Sequence, residues 1–455
     1  MSKMTGTPPR IALLVHNRLE SDPRVSRHVS TIVGMGYRAA VLCAGVQAGR
    51  RGYVWGTRID GAEVYESGPR PTLLGRVRGW ILHLPVGRRP PPRDAGPSPR
   101  GRASGPQTDA APAGSAPRVL GMARDLWDFG RLLYWNLTIF RQFRSVGAGV
   151  VHANDLNVLP AGYLLAKAWR APLLYDSHEL WVEQDTDWSP FFRRLQGWLE
   201  RLLVRRSNAV ITVNGAIAEE LAARYGIPRP EVVMNCPAAP DDLTVGPLIA
   251  RQGSLRAIYQ GALAPNRGLI EVIDAVAATP GVNLVLRGPG NARAELETRV
   301  ADLGVGERVS VLDPVPMAGM VPALRGFAVG LVPILPKGKS YELCSPNKLF
   351  EYMSAGLAVI CSDLPVLREI VVETGCGLLV APGDREAIAS ALRRLAADPE
   401  LLLTLRTRAL VAARDSYNSR IEQVKLQAVY ARLIEGRQSP RMSELPRMDD
   451  HTCAG

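Results

Sequence analysis

A chain of 455 residues exceeds what one ordinary hydrophobic core organises, and its 46% apolar and 22% charged residues describe a soluble globular protein of two or three domains. The apolar runs at 11–15 and 328–335 fall far short of the ~20 residues that cross a bilayer, and no apolar stretch with a small-residue cleavage site opens the chain. The net charge of +12 invites nucleic acid or an anionic membrane. However, residues 70–118 supply +7 of it, nine arginines against Asp94 and Asp109, with no helix-turn-helix, zinc-finger or RNA-binding aromatic motif alongside, which excludes nucleic acid.

The first element is a strand at 11–15, followed by a polar loop and a helix. Asp22 suits the N-cap and Pro23 the first helical position; Val25, Val29, Ile32 and Val33 recur on one face, and Gly34 and Gly36 end the helix. With a strand at 37–43 this is a βαβ opening, which predicts a parallel sheet covered by helices. Residues 85–117 hold nine prolines among Gly, Ser and Ala and are expected to be disordered. An aromatic-rich helix is expected at 119–143. Strands at 149–152, 173–175 and 209–213 complete the first half, and 235–248 reads as a linker. The rhythm then restarts with strands at 255–259, 282–286, 309–312, 328–333 and 358–361 and helices at 269–278, 385–397 and 399–414. A last helix at 420–435 precedes a polar tail. The fold class expected is α/β: two Rossmann-like domains facing each other across a cleft, at 1–240 and 250–415. A helix at 416–436 should cross back to the first, and 437–455 should be a disordered tail. The six scattered cysteines lack CxxC spacing, so free thiols in a reducing cytoplasm are expected, without disulfides or a zinc site.

The most informative stretch is Ser345-Pro-Asn-Lys-Leu-Phe-Glu-Tyr-Met-Ser-Ala-Gly356. Ser345 reads as an N-cap, Pro346 as the first helical residue and Gly356 as the left-handed terminator. The amides of Asn347 and Lys348 then lie unpaired at the positive end of the helix, a geometry that binds phosphate. Lys348 adds a full charge. Glu351 shares its face and can accept from a ribose diol, while Leu349 and Met353 point to the core. On helix signals alone, a capped surface helix with a chance Lys/Glu pair explains the segment equally well.

The segment resembles the Pro-Asn-Lys-Leu-Phe-Glu-Tyr signature of family 4-type (group 1) retaining glycosyltransferases, which have the two-domain GT-B fold. Other stretches agree with that family in order: 16–25, 151–155, Tyr175-Asp-Ser-His-Glu179, 210–214, 233–237 and the donor-phosphate loop at 259–268. The likeness spans nearly the whole chain outside 70–147 and the tail. It implies that Arg267 and Lys348 pair with the diphosphate of a nucleotide-sugar donor, that Glu351 holds the ribose, and that His178 sits beside the transferred sugar. It also implies donor contacts at Gly261, Gly288, Gly290, Glu342, Pro346, Asn347 and Leu349, and base contacts in the loop 314–316. The first domain would take the acceptor, with His16, Asn17, Asp155 and Glu179 on that side. Three positions depart from the family pattern. Leu343 stands where many relatives have a first glutamate, with Glu342 one place off; Ala262 stands where arginine is frequent; and the loop after the first strand lacks a glycine pair.

The activity implied is metal-independent, retaining transfer of a sugar to a hydroxyl of a glycan or glycolipid in cell-envelope polysaccharide synthesis, with no cofactor beyond the nucleotide-sugar co-substrate. The alternatives are a catalytically silent nucleotide-sugar-binding partner subunit and a sugar-nucleotide epimerase of the same fold. For the helix at 119–143 with its arginines, a core helix with outward-reaching guanidiniums stands beside a peripheral contact with anionic lipid on the inner face of the cell membrane.

Overall fold

The computed structural model describes residues 8–16, 19, 22–44, 55–67, 116–184, 188–246 and 254–436. Two sheets organise them. The first contains β1 (Arg10–Val15), β2 (Arg38–Cys43), β3 (Trp55–Ile59), β4 (Ala62–Glu66), β5 (Val150–Asn154), β6 (Leu173–Ser177), β7 (Ala209–Thr212) and β8 (Glu231–Val232). Their order is β3-β4-β2-β1-β5-β6-β7-β8, parallel except where β3 runs against β4. The second contains β9 (Leu255–Gln260), β10 (Val282–Arg287), β11 (Val309–Leu312), β12 (Val329–Val332), β13 (Ala358–Ser362) and β14 (Gly377–Val380). It is parallel in the order β11-β10-β9-β12-β13-β14. In both sheets the order reverses beside the first strand, between β1 and β5 and between β9 and β12. Ligands of open α/β sheets gather outside the carboxyl ends of the strands at such points.

The central strands β1, β2, β5, β6, β12 and β13 are buried on both faces, which is why they read as apolar runs. Ile11, Ala12, Leu13 and Leu14 have no exposed surface at all. The helix Pro23–Gly34 starts as expected, with Asp22 Oδ1 accepting from the Arg24 amide at 3.1 Å. Val25, Val29 and Ile32 pack inward, but Val33 is exposed, because one step past Ile32 turns its side chain off the inner face.

The chain passes to the second half through 233–254 and returns in the helix Ser419–Glu435. Leu426, Val429, Tyr430 and Leu433 of that helix share a core with Ile11, Leu13, Val25 and Val29. The two crossings are bonded to each other: the Ser419 amide donates to Pro237 O at 2.7 Å, and the Met234 amide to Glu422 Oε2 at 2.8 Å.

The helix Ala116–Phe143 buries Ile139 and Phe143 but leaves Met122, Leu126, Trp127, Leu133 and Tyr134 exposed. It is therefore no ordinary core helix, and it presents apolar surface outward as well. Of the stretch expected to be disordered, 85–115 lies outside the described residues, as does the tail from 437, while Ala116 and Pro117 open this helix. Among the described residues no helix is long and apolar enough to cross a membrane.

Candidate active site

The carboxyl ends of the two sheets face each other across a cavity of about 360 Å³. Arg24, His178 and Glu179 line it from the first half, and Arg267, Lys348 and Glu351 from the second. This volume falls within the range of small-molecule sites.

On the second half, the helix Asn347–Ser354 is anchored by Leu349, Phe350, Tyr352 and Met353, all without exposed surface. The buried Tyr352 hydroxyl accepts from the Gln260 amide at 2.8 Å, which ties the helix to the end of β9. Among the described residues the amides of Asn347 and Lys348 have no hydrogen-bond acceptor, so the helix start offers two donors to the cavity. Lys348 is only 8% exposed, with Nζ 3.8 Å from the centre of the Tyr259 ring. Among the described residues no carboxylate lies within ion-pair reach of it. Burial pushes its ammonium well below the usual lysine range, Arg267 pushes the same way and Glu351 opposes. Gly261 has φ +145°, and a Cβ there would stand 3.0 Å from Lys348 Nζ. Arg267 ends a 3-10 turn, with its guanidinium carbon 5.1 Å from the centre of the Tyr341 ring and a buried Nε without a partner. Two cationic side chains and two free amides thus converge on one part of the cavity, with no carboxylate in ion-pair contact with Lys348 among the described residues. An isolated buried charge is costly, and a diphosphate would relieve it.

On the first half, His178 follows β6 and is 7% exposed. Its Nδ1 lies 3.0 Å from Asp155 Oδ1, and its Nε2 lies 2.9 Å from Asp176 Oδ2 without hydrogen-bond alignment. Burial and Arg24 push the His178 pKa down; Asp176 and Asp155 outweigh them and raise it to about 9. Arg24 is clamped by Asp22, through Nε at 3.0 Å and Nη2 at 2.9 Å. Among the described residues one group is dense enough to hold a metal ion: His28, His152 and Asp176, all buried. Both His152 nitrogens are already engaged, Nδ1 with Tyr430 Oη at 2.8 Å and Nε2 with Asp176 at 3.3 Å, while His28 stacks on His152 with its buried Nδ1 unpartnered, so His152 and Asp176 belong to a hydrogen-bond network outside the donor pocket.

The cavity brings together His178, Glu179, Gly261, Arg267, Pro346, Asn347, Lys348 and Glu351 of the expected residues. Others lie elsewhere. Gly288 and Gly290 do not line it: a Cβ on either would stand 1.9 Å from Gly261 O or Leu263 O, so they let backbone pass backbone beneath the donor loop. Leu349 is fully buried and its amide donates to Pro346 O, leaving nothing for a donor. Glu342 closes the short helix Lys339–Glu342 and faces solvent, while Ser340 and Tyr341 of that helix reach the cavity. Ser345 does not cap the phosphate helix; its hydroxyl accepts from Asn214 Nδ2 at 3.1 Å across the domain boundary. The loop 314–316 is set back, with Met320 lining the cavity instead. His16 is exposed and packs edge-on against Trp135, and Asp155 stands behind His178; neither lines the cavity. Asn17 lies outside the described residues. Arg24 and Asp176 lie inside the family-like stretches 16–25 and 175–179 without being singled out there, and Tyr341 carries no local sequence signal, since it joins Arg267 only through the fold.

Two Rossmann-like halves with cations gathered between their switch points define a GT-B glycosyltransferase that draws on a nucleotide sugar. A model described as a glycosyl transferase 4-like domain matches residues 22–238, and one described as glycosyl transferases group 1 matches 255–398. The chain belongs to the family 4-type, group 1 glycosyltransferases. Among curated relatives, the alpha-D-kanosaminyltransferase of Streptomyces kanamyceticus is 25% identical over 297 residues, 60% of this chain and 75% of that one. The D-inositol 3-phosphate glycosyltransferase of Corynebacterium glutamicum is 26% identical over 303 residues, 60% of this chain and 70% of that one. Among solved structures, the sucrose-phosphate synthase of Thermosynechococcus elongatus superposes with a TM-score of 0.68 at 16% identity, covering 94% of this chain and all (100%) of that one. Anabaena HepE in complex with UDP gives 0.57 at 15%, covering 93% and 99%. At these identities the structural likeness speaks for the fold.

Proposed function

We propose that the protein transfers a sugar from a nucleoside-diphosphate donor to an acceptor hydroxyl with retention of anomeric configuration and without a metal ion. The observation that carries this reading is Lys348, a buried side chain with no carboxylate in ion-pair reach among the described residues, set beside the free amides of a helix start and the unpaired Nε of Arg267. In the proposed reaction the bond between the anomeric carbon and the diphosphate oxygen breaks. The acceptor oxygen attacks the same face, and its proton passes to the departing phosphate, so no separate base is needed. Negative charge grows on the leaving group, where Lys348, Arg267 and the helix amides stabilise it; one such donor is worth ~3 kcal/mol. Glu351 accepts from the ribose diol, and His178 faces the transferred sugar.

The acceptor side is a glycan or glycolipid hydroxyl, presented near the inner face of the cell membrane. The outward apolar stripe of the helix Ala116–Phe143, with the exposed Arg124, Arg131 and Arg141, supports contact with an anionic lipid surface. Thermal stabilisation against a panel of nucleotide sugars identifies the donor. With that donor, turnover persists in EDTA and NMR of the product shows the donor's anomeric configuration. Loss of turnover restored by manganese, or an inverted linkage, removes the corresponding part of the proposal. Release of an epimer without acceptor would turn the reading to an epimerase, and tight donor binding without any turnover to a silent partner subunit.

A further inference from the structure

His178 stands between two carboxylates, with Asp155 3.0 Å from Nδ1 and Asp176 2.9 Å from Nε2. A neutral imidazole would aim a lone pair at one of them; an imidazolium has an N–H on each side. Asp176 is itself held from behind. The same Oδ2 lies 3.3 Å from His152 Nε2, and His152 Nδ1 lies 2.8 Å from the Tyr430 hydroxyl. If His152 Nε2 donates to Asp176, Nδ1 accepts from Tyr430, and one tautomer satisfies the whole relay. His152 and Tyr430 have no exposed surface, and Tyr430 belongs to the helix that returns from the second half.

We propose that His178 serves the cleft as a fixed imidazolium set by Asp155 and Asp176, and that His152 and Tyr430 are positioning residues that hold Asp176 from the returning helix. Only the use of the cation by a donor rests on the transferase reading; the charge state belongs to the empty protein.

The surroundings of His178 support the assignment element by element. From the first helix come Arg24, Asp22 and His28. Arg24 opposes a charge on His178, but its bidentate contact with Asp22 offsets much of that opposition. His28 stacks on His152 with ring centres 5.0 Å apart, and burial and His152 press its pKa to about 3, so it stays uncharged. From the end of β5 come His152 and Asp155, and from the stretch of β6 come Asp176 and the more solvent-facing Glu179. Tyr430 adds a hydroxyl, and Arg267 faces Glu179 from across the cleft. Burial alone would raise the carboxyl of Asp176, yet His178 and His152 hold it well below the usual range, so it remains an anion. Nε2 of His178 is buried and not aligned for a hydrogen bond to Asp176, so its 2.9 Å contact with that carboxylate acts through charge.

The test reads the imidazole directly and needs no substrate. Full-length protein labelled with 13C in its six histidines is titrated by NMR, with His178→Gln assigning the resonance. The His178 midpoint is expected at about 9. In Asp176→Asn it falls by about one to three units, as removal of an adjacent charge requires. Asp155→Asn, at a more exposed carboxylate, gives the same direction should the buried variant fail to fold. Tyr430→Phe gives a smaller fall in that direction. A wild-type midpoint at or below the ordinary 6.5 overturns the imidazolium. An unchanged midpoint in Tyr430→Phe overturns the relay. Absence of turnover with the midpoint at about 9 would count against the transferase reading and leave the charge assignment standing.

Discussion

Replacing Lys348 with methionine keeps an unbranched apolar stem and removes the charge, so the structure predicts opposite effects on the empty and the occupied protein. Empty, the ammonium is 8% exposed and its closest compensation is the Tyr259 ring at 3.8 Å, worth ~2 kcal/mol. Exchanging buried charge for apolar volume stabilises by ~1–3 kcal/mol. Each kcal/mol moves the melting point of a domain of this size by ~2–4 °C, so Lys348→Met should melt on the order of 5 °C higher. Occupied, the variant lacks a charge-assisted bond to phosphate worth ~1.5–3 kcal/mol, which weakens a nucleoside diphosphate ~10- to 150-fold. The pH dependence follows from the downward shift of the Lys348 pKa. The unfolded chain holds this proton up to the ordinary 10.5, while the folded chain releases it earlier. The stability gap between variant and wild type is therefore fullest below the pH at which the folded chain releases the proton, and it closes as pH rises towards 10.5. Differential scanning fluorimetry, with and without a panel of nucleoside diphosphates, measures both effects. A variant that melts at or below the wild type when empty, or that keeps the full ligand-induced shift, refutes the reasoning.

Arg267→Ala should lower turnover ~100-fold with little change in melting, because the guanidinium faces the cavity with an unpaired Nε and its removal opens no core void. Glu351→Ala should raise the donor KM more than it lowers kcat, which steady-state kinetics over a donor series will separate. Gly288→Ala should act at a distance: with φ +152° and a Cβ 1.9 Å from Gly261 O, it must displace the donor loop from Lys348. A loss of ~2 kcal/mol or more in denaturant melts, together with a raised donor KM, is expected.

What the sequence showed plainly was whatever depends on near neighbours. β1, the Asp22–Pro23 helix start and the left-handed Gly356 (φ +67°) all formed where local chemistry placed them. Motif order likewise carried the cluster of Arg267, Lys348 and Glu351. The readings that failed involve partners far along the chain. Ser345 looked like a cap, but its hydroxyl meets Asn214, 131 residues away. Gly288 and Gly290 signalled close approach, and the neighbour the structure shows is the backbone of Gly261 and Leu263, outside the cavity lining. Glu342 matched a displaced family carboxylate by count, yet the short helix it ends turns it to solvent. Asp176 became notable only when the fold set His152, His178 and Tyr430 around it. The edge strand β3 and its neighbour β4 escaped notice because Trp55–Ile59 and Ala62–Glu66 mix charges with apolar residues and lack the unbroken apolar run of the central strands.

The pair of hydrogen-bonded crossings at Pro237 and Ser419 has a mechanical consequence. Two covalent threads fastened side by side act as the spine of a book. The covers can swing about one axis, while sliding and twisting would tear the Ser419–Pro237 and Met234–Glu422 bonds. A cut in the stretch 238–254 would leave the volume bound by its second thread.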